Sequence, residues 1–377
     1  MNKQQIILHL SLINGVGPTT AWRLLQILST QQDFLNLYNL SSLELGFKFG
    51  LPPKVSSLIY EGLKDKSSLE LELKLIEKHK INWITLIDEE YPAILKNSYL
   101  PPLVIYYKGS NIFKEKSIAV IGSRKINDYG IRAINKIVPE LVKNDWVIIS
   151  GGAIGADTKA HETAVKAGGK TVAILGSGLL HPYPYSNLRL FEEIIAKGGA
   201  IISSFHLNMQ PFASNFPARN RIIAGISKGC LVVQAAIKSG TRITATFALE
   251  QGKEVFAIPG SIEDELSAGC HVLIKEGAKL VHSAQDIFIE FGEADKESHT
   301  VQAKKEFNPP VVSAFEAIVS SHQPEEEELV KLCYLPASID ELLEKTGLNL
   351  QELQSKLFEL ELDDKIKQDF AGMWQKI

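Results

Sequence analysis

Two hydrophobic periods divide this chain of 377 residues. From residue 3 to about 80, apolar positions recur at helical spacing in short segments broken at Asn14-Gly15-Val16-Gly17-Pro18, Asn39-Leu40-Ser41 and Leu51-Pro52-Pro53. This pattern predicts a small helical domain over 1–82. Gly-Val-Gly-Pro followed by Trp22, Leu24, Leu25 and Leu28 predicts a helix, a tight turn and a second helix. Such a helix-hairpin-helix turn can aim backbone N–H groups at a DNA phosphate, and the same chemistry serves a plain turn in a helical bundle.

Beyond residue 82 the period shortens. Residues 83–87 and 103–107 read as strands at a sheet edge, and 117–121, 146–149, 170–175, 200–203, 230–233, 254–258 and 279–281 read as strands with helical segments between nearly all of them. That alternation predicts an α/β domain over 83–290 with a Rossmann-like, doubly wound, mostly parallel sheet. Ligands of such sheets bind at the carboxyl ends of the strands. Residues 291–312 are polar, end near Pro309-Pro310 and read as a linker. In 313–377, a capping box of Ser338 and Glu341, a turn at Gly347 and a stripe of Leu350, Leu353 and Leu357 predict a helix-turn-helix. The short tail around Ile366 and Phe370 makes it a winged helix.

Charge changes the picture. The net charge is −4, but residues 290–377 carry 19 Asp and Glu against 9 Lys and Arg, which leaves +6 on 1–289. An anionic ligand therefore belongs to the first 289 residues. Cys230, Cys270 and Cys333 form no paired spacing, which implies a reducing compartment and no structural zinc. No apolar run reaches the roughly 20 residues of a membrane span and the start lacks a signal-peptide pattern, so a cytoplasmic protein is expected.

Four glycine turns follow apolar runs directly: Ile-Gly-Ser-Arg at 121–124, Ser-Gly-Gly-Ala-Ile-Gly at 150–155, Leu-Gly-Ser-Gly at 175–178 and Pro-Gly-Ser at 259–261. Their bare N–H groups can converge on one anion. A dinucleotide cofactor would need G-x-G-x-x-G and an acid about 20 residues on. Here Gly122 has no second or third glycine after it, and Gly176-Ser177-Gly178 runs on into Leu-Leu-His. No cofactor is expected. Arg124, two residues after the first strand-ending glycine, is expected to point into the crevice, where a guanidinium forks onto phosphate or stacks on a base. Phe216, Arg219, Asn220 and Arg221 have the composition of a single-strand platform. Ser239-Gly240-Thr241 opens a helix, with Thr244 one turn on, and hydroxyls there hold anions as readily as they cap. Asp157 and His161, at i and i+4, lack a third metal ligand and read as a cap and a packed histidine. No carboxylate pair, nucleophile with base or metal cluster emerges, so the rim is expected to hold an anion without catalysis.

These residues resemble those of the DNA-processing protein A (DprA/Smf) family. The resemblance is carried by Ile118-Ala-Val-Ile-Gly-Ser-Arg124, Ser150-Gly-Gly-Ala-Ile-Gly-Ala-Asp157 with Ala160-His161, Leu175-Gly-Ser-Gly178, Tyr183-Pro184, Asn215-Phe-Pro-Ala-Arg-Asn-Arg221, Ser239-Gly240 with Thr244-Ala245, and Val255-Phe-Ala-Ile-Pro-Gly260. It covers about 90 to 280. It implies a protein of natural transformation that binds single-stranded DNA, protects incoming strands and helps load the RecA recombinase. It also implies a homodimer formed through the Rossmann-like domain, a helical (SAM-like) N-terminal domain and a winged-helix C-terminal domain. Carried over residue by residue, the DNA pocket uses Gly122, Ser123, Arg124, Gly151, Gly152, Phe216, Arg219 and Arg221. Ser150, Lys170, Asn215, Asn220, Ser239, Gly240 and Thr241 complete the candidate DNA-binding set. Ser204 and Gln234 stand where the family usually has Glu, and His271 where Asn is common. The loss of two acids leaves their structural role unfilled.

Two other readings stand beside this one. A phosphoribohydrolase-like enzyme of a related fold would carry P-G-G-x-G-T-x-x-E, of which only Ser-Gly-Thr241 is present, and position 244 is Thr in place of the catalytic Glu. A transcription factor led by the C-terminal module is opposed by that module's −10 balance, since a DNA-reading helix presents Lys and Arg. The acidic module is expected to meet protein.

Overall fold

The computed structural model describes residues 1–98, 100–293, 329–330, 332–333, 337, 339–348, 353, 356–357, 360, 366–368 and 374–376. The linker beyond 293, and Ser338, Leu350 and Phe370 of the expected helix-turn-helix and wing, lie outside these residues. The chain divides into two compact units, Met1–Asp295 and Lys296–Ile377.

Six helices open the first unit: α1 (Lys3–Leu12), α2 (Pro18–Ile27), α3 (Gln31–Asn36), α4 (Ser42–Phe49), α5 (Pro53–Lys64) and α6 (Ser67–Lys78). Their ends follow from local chemistry. Asn2 with Gln5, and Ser41 with Glu44, form capping boxes, proline stands in the first turn of α2 and of α5, and Gly50 closes α4 in the left-handed region. Helix α1 is buried at every residue from Ile6 to Leu10, so it is the centre of this layer and not an amphipathic surface helix.

The sheet has nine strands: β1 (Asn82–Thr85), β2 (Val104–Gly109), β3 (Ser117–Ile121), β4 (Val147–Ser150), β5 (Thr171–Ile174), β6 (Ala200–Ser203), β7 (Gly229–Val232), β8 (Glu254–Ala257) and β9 (Lys279–Leu280). They lie in the order β1-β2-β6-β5-β4-β3-β7-β8-β9. Antiparallel β1 and β2 extend one edge, as the sequence predicts, and β6 through β9 are joined in parallel. Both faces are covered. Ile118, Val120, Ile148, Leu231, Val233, Phe256 and Ile258 enter one apolar core, and the alternate positions Ala119, Ile121, Ile149, Cys230, Val232, Val255 and Ala257 enter the other. A period of two with both faces apolar makes each strand read as a continuous hydrophobic run. The second core runs on without a break into the helices of the N-terminal layer. There the buried Glu72 of α6 accepts the Leu207 N–H at 2.8 Å.

Connecting helices follow the strands: α7 (Ala93–Lys96), α8 (Asp128–Lys143), α9 (Ala156–Lys166), α10 (Leu188–Ala196), α11 (Asn215–Ile226), α12 (Gly240–Glu250), α13 (Glu265–Lys275) and α14 (Ala284–Glu290). Strand β3 is central. The chain winds from it through β4 and β5 to β6 on one side, then returns to place β7 on the other. The strand order therefore reverses at the β3–β7 boundary, where a doubly wound sheet opens a crevice at its carboxyl edge.

In the second unit, a helix Ile339–Thr346 and an antiparallel ribbon pairing Ile366–Gln368 with Trp374–Lys376 share a core that includes Leu329, Cys333, Leu342, Leu353, Leu357, Ile366 and Trp374. A short ribbon packed on helices is the expected wing. Among the described residues no helix is long and apolar enough to cross a membrane.

Candidate nucleic-acid interface

The crevice at the β3–β7 boundary contains a cavity of about 580 Å³. The turn after β3 supplies one wall with Gly122, Ser123 and Arg124, and the segment after β7 supplies another with Ala236, Ser239, Gly240 and Thr241. Helix α11 supplies the third. Its residues Phe216, Arg219, Asn220 and Ile223 all line the cavity. They lie at i, i+3, i+4 and i+7, the spacing of one helical face.

Close approach of two turns builds the first wall. Gly155 has φ +91°, and a Cβ there would lie 2.5 Å from the Ser123 carbonyl oxygen and 2.6 Å from that of Arg124. Only glycine lets the 152–155 turn sit against the 123–124 turn, which the Ala156 N–H then holds by donating to the Ser123 carbonyl at 3.1 Å. Gly176 does the same for the aromatic wall, since a Cβ there would lie 2.9 Å from Phe216 Cδ1.

Phe216 is half-buried, with the Arg124 guanidinium 5.6 Å and the Arg219 guanidinium 5.5 Å from its ring centroid. Both lie within cation–π range. The two arginines differ in every other respect. Arg124 is exposed. Arg219 is buried, donates from Nη1 to the carbonyls of Gly151 and, at 2.7 Å, Ile174, and donates from Nε to Asn220 Oδ1 at 3.1 Å. Burial pulls its pKa down to about 10, with Asp157 opposing and Arg124 adding to the fall, so it remains a cation at neutral pH. Burial likewise raises the Asp157 carboxyl above its ordinary value, against the pull of Arg219 and the Ala153 N–H. His161, packed one turn along α9, has its pKa lowered to about 3 by burial and by Arg219. Its Nδ1 meets Thr171 Oγ1 at 2.7 Å. It is therefore a packed neutral imidazole, as expected. Asp157, in the first turn of α9, accepts the Ala153 N–H at 3.2 Å, two residues ahead of the Gly155 N-cap.

Helix α12 begins at the opposite wall, and among the described residues no side chain caps it. The Ser239 hydroxyl beside it is buried and finds no hydrogen-bond partner among the described residues. An uncapped helix N-terminus with an unpaired donor next to it suits an anion.

The structure separates the sequence candidates. Gly122, Ser123, Arg124, Phe216, Arg219, Asn220, Ser239, Gly240 and Thr241 meet at the cavity, and Gly151 lines a smaller space next to it. Lys170 does not belong. It precedes β5, at the amino edge of the sheet, and pairs with Glu115 at 2.7 Å. Ser150 is fully buried and donates to the Val120 carbonyl at 2.6 Å, so it joins strands and does not line the cavity. Gly152 is buried under Phe191, and Asn215 donates to the Gln210 carbonyl at 3.3 Å away from the cavity wall. Arg221 is also misplaced by the sequence reading. Two residues along a helix is a turn of about 200°, so when Arg219 faces the cavity Arg221 faces away from it, toward Tyr91. The fourth glycine turn likewise drops out, since Gly260 packs against Ser267 and is held by His271 Nε2, 3.1 Å from its carbonyl oxygen.

Gln234 corrects a further expectation, because no role is left unfilled there. Its fully buried amide donates to Asn127 Oδ1 at 2.9 Å and Asp264 Oδ2 at 3.1 Å, and accepts the Asn127 N–H at 3.1 Å. It thus ties together the N-caps of α8 and α13. Sequence reasoning missed Ile223, Ala236 and Ile243 on the cavity wall. The helical phase of α11 would have found Ile223.

Residues 82–292 match the family model of DNA recombination-mediator protein A, and residues 322–370 match that of the DprA winged helix domain. The chain is 44% identical to the DNA processing protein DprA of Streptococcus pneumoniae over 216 residues, which are 57% of this chain and 76% of the relative. The X-ray structure of DprA from Streptococcus pneumoniae superposes with a TM-score of 0.66 at 35% identity, covering 77% of this chain and 99% of that one. DNA processing protein A from Helicobacter pylori, whose structure was reported for its unique single-stranded DNA binding mode, superposes with a TM-score of 0.51 at 28% identity, covering 56% of this chain and 96% of that one.

Proposed function

This chain belongs to the DprA/Smf family of DNA recombination mediators, and from that membership we propose that the cavity between β3 and β7 grips single-stranded DNA without transforming it. The observation that carries this reading is the Phe216 ring set within 5.6 Å of two guanidinium groups, at a cavity that also receives an uncapped helix N-terminus. A base stacks on the aromatic ring, and its phosphates meet Arg124, the 122–124 turn and the start of α12. Nothing in that set reads the edge of a base, so binding is tolerant of sequence. Arg219 works from behind, as the buried strut that holds Phe216 and the Gly151 turn in place.

Family membership also supports the wider role: protection of incoming strands and help in loading RecA during natural transformation, by a cytoplasmic homodimer. The acidic C-terminal module then serves protein contacts.

The test is a band shift of the full chain with oligothymidylate and with duplex DNA over a salt series. Single strands are expected to shift at moderate salt. Arg124→Ala is expected to weaken binding by about 1–3 kcal/mol and to lower the salt slope by about one. Absence of any single-strand complex at moderate salt overturns the proposal.

A further inference from the structure

Next to the main cavity lies a slot of about 40 Å³, which shares Arg124, Phe216 and Arg219 with it and is closed on its far side by Tyr183, Pro184 and Ile154. It is about large enough for one water molecule. The side chains around it are more telling. Tyr183 is 41% exposed, Tyr185 61% and Ile154 56%. The Tyr183 ring centroid is 6.4 Å from that of Phe216, and the Tyr185 centroid is 5.9 Å from that of Tyr183. Single exposed apolar residues are ordinary on a protein surface, but a run of three aromatic rings leading out of a cation-lined cavity is not scattered exposure.

The loop that presents them is firmly tied. Buried Asn187 donates from Nδ2 to the Gly152 carbonyl at 2.9 Å and to Thr158 Oγ1 at 2.7 Å. The Ser177 hydroxyl donates to the His181 carbonyl at 2.6 Å, and the Asn187 N–H to the Pro184 carbonyl at 3.0 Å. The two tyrosines therefore stay outside on a loop fixed to the same glycine turn that receives Arg219.

We infer that Tyr183 and Tyr185 continue the stacking platform of Phe216, so that bases leaving the main cavity stack in turn on these rings; the inference rests on the single-strand reading above. Successive ring planes turn by 51° and 83°. A strand that follows them splays its bases apart and cannot keep them paired, which confines this path to single strands. Both tyrosines are uncharged, so they add affinity without adding to the salt dependence.

The experiment titrates the full chain with oligothymidylates of increasing length, each carrying 2-aminopurine at one end, for the wild type, Tyr183→Ala, Tyr183→Phe and the Tyr183→Ala/Tyr185→Ala pair. Tyr183→Ala is expected to weaken binding about tenfold, within the range of one lost base–aromatic stack, only for strands longer than the shortest that binds. The salt slope should not change, and Tyr183→Phe should restore binding. The double variant should also lose the quenching of the terminal 2-aminopurine. Wild-type affinity and quenching at every length in the double variant overturn the inference while leaving the Phe216 site intact. Equal weakening of the shortest strands by Tyr183→Ala and Tyr183→Phe overturns it too, because a structural role or a hydroxyl bond would then be at work. Failure of the wild type to bind any strand removes the single-strand reading itself.

Discussion

Replacing Arg219 with methionine keeps most of the side-chain volume and removes the charge. In the native fold that charge satisfies the carbonyls of Gly151 and Ile174 and faces the buried Asp157 carboxylate. A buried acceptor left unpaired costs about 1–3 kcal/mol, and breaking a buried charge pair costs about 3–5 kcal/mol. The second figure is an upper value here. Burial already raises the Asp157 carboxyl above its ordinary range, so protonation relieves part of the loss. The net destabilisation is about 4 kcal/mol, a fall of roughly 6 °C in Tm for a unit of this size. Thermal and urea melts of the full chain measure it, alongside single-strand titrations at temperatures where both proteins are folded. Arg124→Ala is the contrast. It is exposed, so its stability should stay within about 0.5 kcal/mol of the wild type while its DNA affinity falls. Adding Asp157→Asn to Arg219→Met should recover part of the lost stability, because the uncompensated carboxylate goes with it. If Arg219→Met melts like the wild type and loses only DNA affinity, Arg219 is a strand contact and the assignment of a strut is wrong.

Gln234→Glu should destabilise by about 1–3 kcal/mol at neutral pH, because a carboxylate cannot donate to Asp264 and repels it, and the loss should shrink in acid. An unchanged Tm would show that the network tolerates either group. His161, lowered to about 3 by burial and Arg219, takes up its proton only on unfolding between about pH 3 and 6.5, so stability should fall as pH is lowered across that window, by up to about 1.4 kcal/mol per unit. Asp157, raised by burial, binds its proton earlier in the folded state and offsets part of that slope. His161→Gln should flatten the profile, and a profile identical to the wild type would contradict the assignment. Deleting residues 310–377 should leave most single-strand affinity intact by band shift; complete loss would place a DNA contact in the acidic module.

The sheet was legible because both of its faces are covered. The apolar runs 118–121 and 146–149 are unbroken, and glycine follows each within two residues. Arg124 was legible for the same reason, since a residue three positions past a strand end, in the turn that glycine opens, falls at the carboxyl edge of the sheet. The 215–221 cluster was legible as composition but not as geometry. Proline is tolerated in a first helical turn, and α11 starts at Asn215. Helical phase then sends Arg219 inward and Arg221 away. Burial was beyond the sequence as well: Arg219 and Arg124 have the same side chain, and only the surrounding carbonyls make one a strut and the other a free arm. Lys170 was misplaced because composition does not say which edge of a sheet a flanking residue occupies. Gln234 could be noticed as a departure, but its two N-cap partners, Asn127 and Asp264, lie 107 and 30 residues away.

The most direct measurement is a crystal structure of the full chain with a short oligothymidylate. One base is expected stacked on Phe216, with the adjoining phosphates at Arg124 and at the start of α12, and Arg219 still bonded to the carbonyls of Gly151 and Ile174. A strand bound instead on the helical hairpin around Gly15 or on the C-terminal module, with the β3–β7 cavity unoccupied, would contradict it.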